Sequence, residues 1–260
     1  MERGWWSRRS GNQGALRAML LAMMVWLSCP AEAAIYLGAT RVIVDSREKQ
    51  ATLRATNDGA TPVLLQVWVD TGDREAMPGN IAVPFTVTQP ILRLDSKRSQ
   101  LLRIIFTGDP SQLPGDRESI FWLNVLEIPP KPRSEAGHNR MQVVFRSRIK
   151  LFYRPATLRE NGDIPRHQQL RFKLIDQNTA PVLQISNPTP FHQTLLELAV
   201  GRDRHRPLLS AAPDEGMAAP YQQLLIPMGQ AGGGVTRGMR VFYTVIDDFG
   251  NLLTGEQTLP

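Results

Sequence analysis

The sequence predicts an all-β protein made of two immunoglobulin-like sandwiches in tandem. Three observations carry this expectation. Apolar and polar residues alternate with a period of two through many short segments, and no stretch after residue 33 sustains a helical period. Clusters of Gly, Pro, Asn and Asp punctuate those segments at the spacing of short strands. The pattern also stops at Pro155 and restarts after it, dividing residues 34–260 into two lengths that each suit one sandwich.

The first 33 residues read differently. Arg3, Arg8, Arg9 and Arg17 precede an uncharged run from Ala18 to Cys29, followed by Ala31-Glu32-Ala33. A basic start, an apolar run too short to span a bilayer and an Ala-x-Ala site describe a secretory signal. The mature chain is then expected to begin at Ala34. Arg8-Arg9 lacks the apolar residues that should follow a twin-arginine signal, and Trp26 occupies the small aliphatic position of a lipidation site at Cys29. Of 30 Lys and Arg and 24 Asp and Glu, the signal holds four and two, leaving 26 basic and 22 acidic residues, a net of +4. The arginines are scattered in an exported chain, which argues for solubility or acidic partners and against nucleic acid. Cys29 is the only cysteine and leaves with the signal, so the mature chain has no disulfide and depends on its core. No later segment is apolar enough to insert into a membrane.

In the first half, strands are expected over residues 35–46, 51–57, 63–69, 83–93, 99–106, 119–128 and 141–153. Between them lie Asn57-Asp58-Gly59, Thr61-Pro62, Met77-Pro78-Gly79-Asn80, Asp95-Ser96, Gly108-Asp109-Pro110 and Leu113-Pro114-Gly115-Asp116. Trp68, in the third strand, suits the large aromatic that packs between two such sheets. The last strand is the longest. Met141, Val143, Phe145, Ile149, Leu151 and Tyr153 share one parity, and Gln142, Arg146, Arg148, Lys150 and Arg154 the other, before Pro155 ends the run. Part of so long a strand is expected to lack a partner in its own domain. An open apolar edge is a hazard that a protein retains when it uses it.

In the second half, Asn161-Gly162-Asp163 and Pro165 read as a linker and entry loop. Leu170, Phe172 and Leu174 alternate with Arg171 and Lys173. Further strands are expected over 182–187, 192–200, 221–227, 235–247 and 252–259, with a turn at Asn187-Pro188-Thr189-Pro190 and an exposed loop at 202–206. The expected division is residues 1–33 as signal, 34–155 as the first sandwich and 156–260 as the second.

Reactive constellations are missing. His138, His167, His192 and His205 fall in separate segments without metal-ligand spacing, and no Gly-x-Ser-x-Gly occurs. Gly232-Gly233-Gly234 precedes a strand, not a helix, so it suits a hairpin turn better than a phosphate cradle. Asp247-Asp248, read as strand neighbours, would point to opposite faces and share neither proton nor metal. No enzyme, cofactor or metal site is expected.

Five stretches resemble the periplasmic pilus-assembly chaperones of the PapD-like family. Residues 113–130, Leu-Pro-Gly-Asp-Arg-Glu-Ser-Ile-Phe-Trp-Leu-Asn-Val-Leu-Glu-Ile-Pro-Pro, are similar to that family's signature. Residues 149–155, Ile-Lys-Leu-Phe-Tyr-Arg-Pro, resemble the end of its donor strand. Ala39-Thr40-Arg41-Val42-Ile43-Val44, Asn187-Pro188-Thr189-Pro190-Phe191 and Asp247-Asp248-Phe249-Gly250 resemble its first strand and the turns of its second domain. The likeness spans essentially the whole mature chain. It departs in one respect: some relatives carry a disulfide in the second domain, which this chain cannot form.

The resemblance implies two sandwiches set at an angle with a cleft between them, working in the periplasm. Such a chaperone lends an edge strand to a fimbrial subunit that lacks its last strand, then passes it to an outer-membrane usher. On this sequence, Met141, Val143 and Phe145 would enter the subunit's apolar groove, and Arg41 and Lys150 would hold its C-terminal carboxylate. Glu118, Arg154 and Asp248 would form an ion network joining the domains. The charged loop at 131–140 resembles the short-loop branch, which implies three anchors. Lys150 and the anchors differ in parity, which either strand twist or a bulge near Ser147 would accommodate. The exposed edge would also permit self-association. The competing reading is an exported adhesin or ligand-binding module working through loop tips. A sandwich hydrolase using Asp248 is a third.

Overall fold

The structure is a computed structural model that describes residues 35–76, 78–79, 81–131, 142–158, 164–177, 180–211, 216–228 and 234–260. Residues 1–34 with the expected signal and Cys29, Met141, His138 and most of the 131–140 loop, Met77, Asn80, the expected linker at Asn161–Asp163 and Gly232-Gly233 lie outside these residues.

The first half contributes β1 (Ile35–Leu37), β2 (Arg41–Asp45), β3 (Gln50–Asn57), β4 (Val63–Asp70), β5 (Phe85–Val87), β6 (Ile91–Leu94), β7 (Ser99–Phe106), β8 (Ser119–Ile128) and β9 (Phe145–Arg154). They form a four-stranded sheet in the order β1-β3-β7-β5 and a five-stranded sheet in the order β2-β9-β8-β4-β6. Alternate residues of the two sheets meet in one core. Val42, Val44, Leu53, Leu65, Val67, Leu102, Ile104, Leu123 and Leu151 are all buried there. Phe85 packs edge-on against Phe106 and Phe121 at ring separations of 5.4 and 4.9 Å, and Phe106 lies 4.4 Å from Tyr153.

Two runs expected as single strands each divide between sheets. Residues 35–46 break at Gly38, so that β1 pairs with β3 and β2 runs parallel to β9 in the opposite sheet. The Gly38 N–H donates to the Arg54 carbonyl at 2.8 Å, and a Cβ there would sit 3.4 Å from that of Arg54. Residues 83–93 divide likewise: β5 pairs with β7, and β6 with β4, with Pro90 between them. Proline cannot donate to a ladder, so the crossing falls where the ladder must break anyway.

Trp68 is not between the sheets. Its neighbours Val67 and Val69 fill the core, so Trp68 lies on the outer face of β4, where the Arg146 guanidinium covers its ring at 4.8 Å.

The second half contributes β10 (Arg171–Gln177), β11 (Ala180–Ser186), β12 (Gln193–Gly201), β13 (Leu209–Ala211), β14 (Met217–Ala218), β15 (Gln223–Pro227), β16 (Arg240–Ile246) and β17 (Leu252–Thr258). A three-stranded sheet β10-β11-β15 faces a five-stranded one, β13-β12-β16-β17 with β14 also on β12. Their core holds Phe172, Leu183, Ile185, Leu195, Leu198, Val200, Val241, Tyr243 and Leu259. Tyr243 lies flat over Gly255, where any Cβ would collide with the ring, and its hydroxyl donates to the His167 carbonyl at 2.9 Å. β13 and β14 were not expected. The strand expected over 235–247 starts only at Arg240: Val235 and Met239 are buried in turns, where apolar residues mimic a strand pattern. Asp247-Asp248 accordingly sits in the turn after β16, not within a strand.

Candidate functional site

β9 lies inside its sheet, yet one of its sides is covered only in part. It pairs antiparallel with β8 along its whole length, from Phe145 opposite Glu127 to Tyr153 opposite Ser119. On its other side β2 covers only Lys150 to Arg154. Among the described residues, 145–149 therefore present an unpaired backbone edge. The strand starts at Phe145, later than expected, and Gln142–Val144 lead into it. Phe145 is 56 % exposed and Val143 54 %, whereas Leu151 on the same parity is fully buried in the core. The β8–β9 register runs without a shift, so no bulge interrupts the strand at Ser147. The odd residues continue the core face outward, and Lys150 points from the opposite face.

On that opposite face Lys150 stands beside Arg41, its register partner across the parallel pair. Arg41 is 7 % exposed. Its Nη1 donates to the Ile246 carbonyl at 2.9 Å, while its Nε is buried without a partner. The Lys150 ammonium donates to Thr194 Oγ1 at 3.0 Å. Thr194 and Ile246 are themselves paired across β12 and β16, so both cations of the first domain reach one rung of the second. Burial, then the neighbouring Arg41 charge, lowers the Lys150 pKa to about 8. Burial likewise lowers the Arg41 pKa, opposed by Asp248, Asp247 and Glu118. Two desolvated cations side by side, one with an unused donor, have the charge and the free N–H with which a carboxylate pairs.

The domain junction surrounds this pair. Arg154 donates from Nε to Glu118 Oε1 and from Nη1 to Asp248 Oδ2, both at 2.8 Å. Arg166 also donates to Asp248 Oδ2, at 2.9 Å, and the His192 N–H donates to Glu118 Oε2 at 2.8 Å. The Glu118 N–H bonds the Pro190 carbonyl across the junction, and Phe152 lies 5.2 Å from the His192 ring. The Arg154 and Arg166 guanidinium groups flank Phe191 at 5.1 and 4.4 Å. Burial would raise the Asp248 pKa, but hydrogen bonds from Arg154 and Arg166 hold it below the usual carboxylate value. The structure thus brings Glu118, Arg154 and Asp248 together and adds Arg166, His192 and Phe191. Sequence reasoning missed Arg166, for which the only signal was an arginine directly after the domain-entry proline.

Because Asp248 is held ionised, its contribution is present above the unfolded carboxylate pKa and is lost as pH falls through the lower folded value. Asp248→Asn should leave each sandwich folded and weaken their coupling by about 1–2 kcal/mol. Solution scattering would register this as a wider spread of domain orientations; an unchanged profile would mean that packing around Phe191 alone fixes the angle.

Among the described residues, no group of three His, Cys, Asp or Glu side chains can hold a metal ion, and no helix is long and apolar enough to cross a membrane. Asp247 does not join Asp248: it accepts from the Phe249 and Asn251 N–H groups at 2.9 and 2.7 Å and braces its own turn.

Comparison with known proteins matches residues 34–159 to the model of the pili and flagellar-assembly chaperone PapD N-terminal domain, and residues 165–257 to that of its C-terminal domain. The chain is 38% identical over 249 residues to chaperone protein FimB/FhaD of Bordetella pertussis, covering 95% of both chains. It is 38% identical over 231 residues to the probable fimbrial chaperone YadV of Escherichia coli, covering 86% of this chain and 89% of that one. The crystal structure of the YadV chaperone superposes with a TM-score of 0.70 at 33% identity, covering 87% of this chain and all of that chain. The complex of the Salmonella enterica SafA pilin with the SafB chaperone gives 0.69 at 26% identity, covering 89% and 99%.

Proposed function

Because the chain belongs to the PapD-like family of pilus-assembly chaperones, which is a family of chaperones and not of enzymes, we propose that it works by donating a strand. In this reading, residues 1–33 direct export to the periplasm and are removed. Residues 34–155 and 156–260 form the two chaperone domains. The backbone edge at 145–149 completes the unfinished sandwich of a fimbrial subunit, and the subunit then passes to an outer-membrane usher. The observation that carries the proposal is the half-covered β9, whose open stretch bears exposed Phe145 on the parity of the buried Leu151, with exposed Val143 two residues before it. Backbone groups along that edge offer a ladder, and Met141, Val143 and Phe145 offer anchors at the two-residue spacing of a strand.

Arg41 and Lys150 take the subunit's C-terminal carboxylate in this scheme. The carboxylate satisfies the buried Arg41 Nε and relieves the repulsion between the two cations. With the terminus pinned, the strand register follows, since a slip of one residue would turn every anchor to the wrong face. The complex of SafA with its chaperone SafB shows that a structural relative pairs with a pilin.

The direct test is co-purification from a periplasmic extract with identification of the last residues of the bound polypeptide. A fimbrial subunit ending in a free carboxylate is expected; capture of a glycan or an unrelated protein through the loop tips would favour a binding module instead. A pH series adds the chemistry. Lys150 loses its proton as pH rises through about 8, so affinity for a peptide of the subunit's C-terminal residues should fall across that range. The same peptide amidated at its end should bind weakly at every pH. Equal affinity of the two forms would remove Arg41 and Lys150 from the role.

A further inference from the structure

A strand with one open edge must be kept extended by something other than a ladder on that side. For residues 145–149 that is the β8 ladder on the other side, and the even-numbered side chains add contacts to it. Arg148 reaches across β8 to β4: its Nη2 donates to Asp70 Oδ1 at 2.6 Å, and its guanidinium lies 4.3 Å from the centre of the Trp122 ring. Arg146 runs beside it. Its Nε donates to Asn124 Oδ1 at 2.9 Å, its Nη1 to the Arg74 carbonyl at 2.7 Å, and its guanidinium covers Trp68. Asn124 Nδ2 in turn donates to Asp70 Oδ2 at 2.7 Å, and the Gly72 N–H donates to Oδ1 at 2.7 Å.

Asp70 and Asn124 are fully buried. The register explains how one carboxylate reaches both arginines. Asp70 is opposite Trp122 and Trp68 opposite Asn124 on β4–β8, while Asn124 is opposite Arg148 on β8–β9. Each arginine therefore lies diagonally over the middle strand with its planar head on an indole, a geometry that suits guanidinium better than ammonium. These contacts lie on the face opposite the exposed Phe145, so they leave the free edge and its apolar side open.

We propose that Asp70 is a positioning residue for strand donation, holding residues 145–149 extended through Arg148 and Arg146 before a subunit arrives. The inference rests on the strand-donation reading. A donor segment ordered in advance loses less conformational freedom on binding, so the gain appears in capture as well as in local order.

The test is amide hydrogen exchange on the full mature chain with Asp70→Asn, an isosteric change that removes the charge. Exchange of the 145–149 amides bonded to β8 should quicken about tenfold relative to those of β16 in the other domain. Capture of a urea-unfolded fimbrial subunit, recovered from the wild-type complex, should fall about tenfold at a temperature where both proteins are fully folded. Arg148→Lys keeps the charge but loses the stacked fork. It should give the same two changes in smaller measure, and it serves if Asp70→Asn does not fold. Unaltered exchange at 145–149, or wild-type capture despite faster exchange, overturns the assignment. The double variant Val143→Glu/Phe145→Glu separates the layers: if it too captures normally, strand donation itself is wrong, whereas its failure beside a competent Asp70→Asn discards only the role of Asp70.

Discussion

Val143→Glu is expected to abolish capture of fimbrial subunits while the chain stays folded. Val143 is 54 % exposed and precedes the first residue of β9, so the domain loses almost nothing when it becomes polar. The cost falls on the complex. Burying a valine in the subunit groove is worth roughly 1.5–3 kcal/mol, and a carboxylate there must be desolvated or protonated. Together these amount to about 4 kcal/mol or more, at least ~10³-fold in affinity. Gel filtration of chaperone and subunit, with a thermal melt to verify folding, measures it. A complex of ordinary yield would show that Val143 does not face the groove and that the anchor register is shifted.

Arg41→Ala should have the second largest effect, a loss of about 2–4 kcal/mol or roughly 30- to 1,000-fold, because a charge-assisted pair to the subunit's terminus disappears. Burial disfavours the charged guanidinium in the free chain, so its removal should cost the fold little. Arg41→Lys should recover only part of the loss, since an ammonium lacks the fork that reaches the Ile246 carbonyl and a carboxylate at once. Subunit levels in the periplasm, alongside binding of the free-acid and amidated tail peptides, read both variants. Wild-type levels with Arg41→Ala would mean that the cation pair serves the domain junction and not the subunit.

Both predictions turn on residues that were legible in the chain, and the reason is local. Phe145, Ile149 and Leu151 hold one parity and Arg146, Arg148 and Lys150 the other, and alternation reports which face of a strand meets apolar surroundings. The motif around Lys150 added its identity as a partner of Arg41, a pairing 109 positions apart that the parallel register of β2 on β9 realises. Where alternation was read as continuity, it misled. Residues 35–46 and 83–93 keep their period through a change of sheet, because a residue's face says nothing about which strand lies beside it. Trp68 was misplaced for a related reason: a large aromatic suits the core by size, but its parity with Asp70 puts it outside, under Arg146.

By itself, then, the sequence determined the class of fold, most of the longer strands and the family to which the chain belongs, all encoded in neighbours two residues apart or in contiguous motifs. Tertiary structure alone decided that β9 is covered on one side only as far as Lys150, that Arg166 and His192 complete the junction, and that one buried carboxylate on β4 holds two arginines of β9. Edges, junctions and buried charges depend on which distant segment lies alongside, and that is settled only when the sheets close around their common cores.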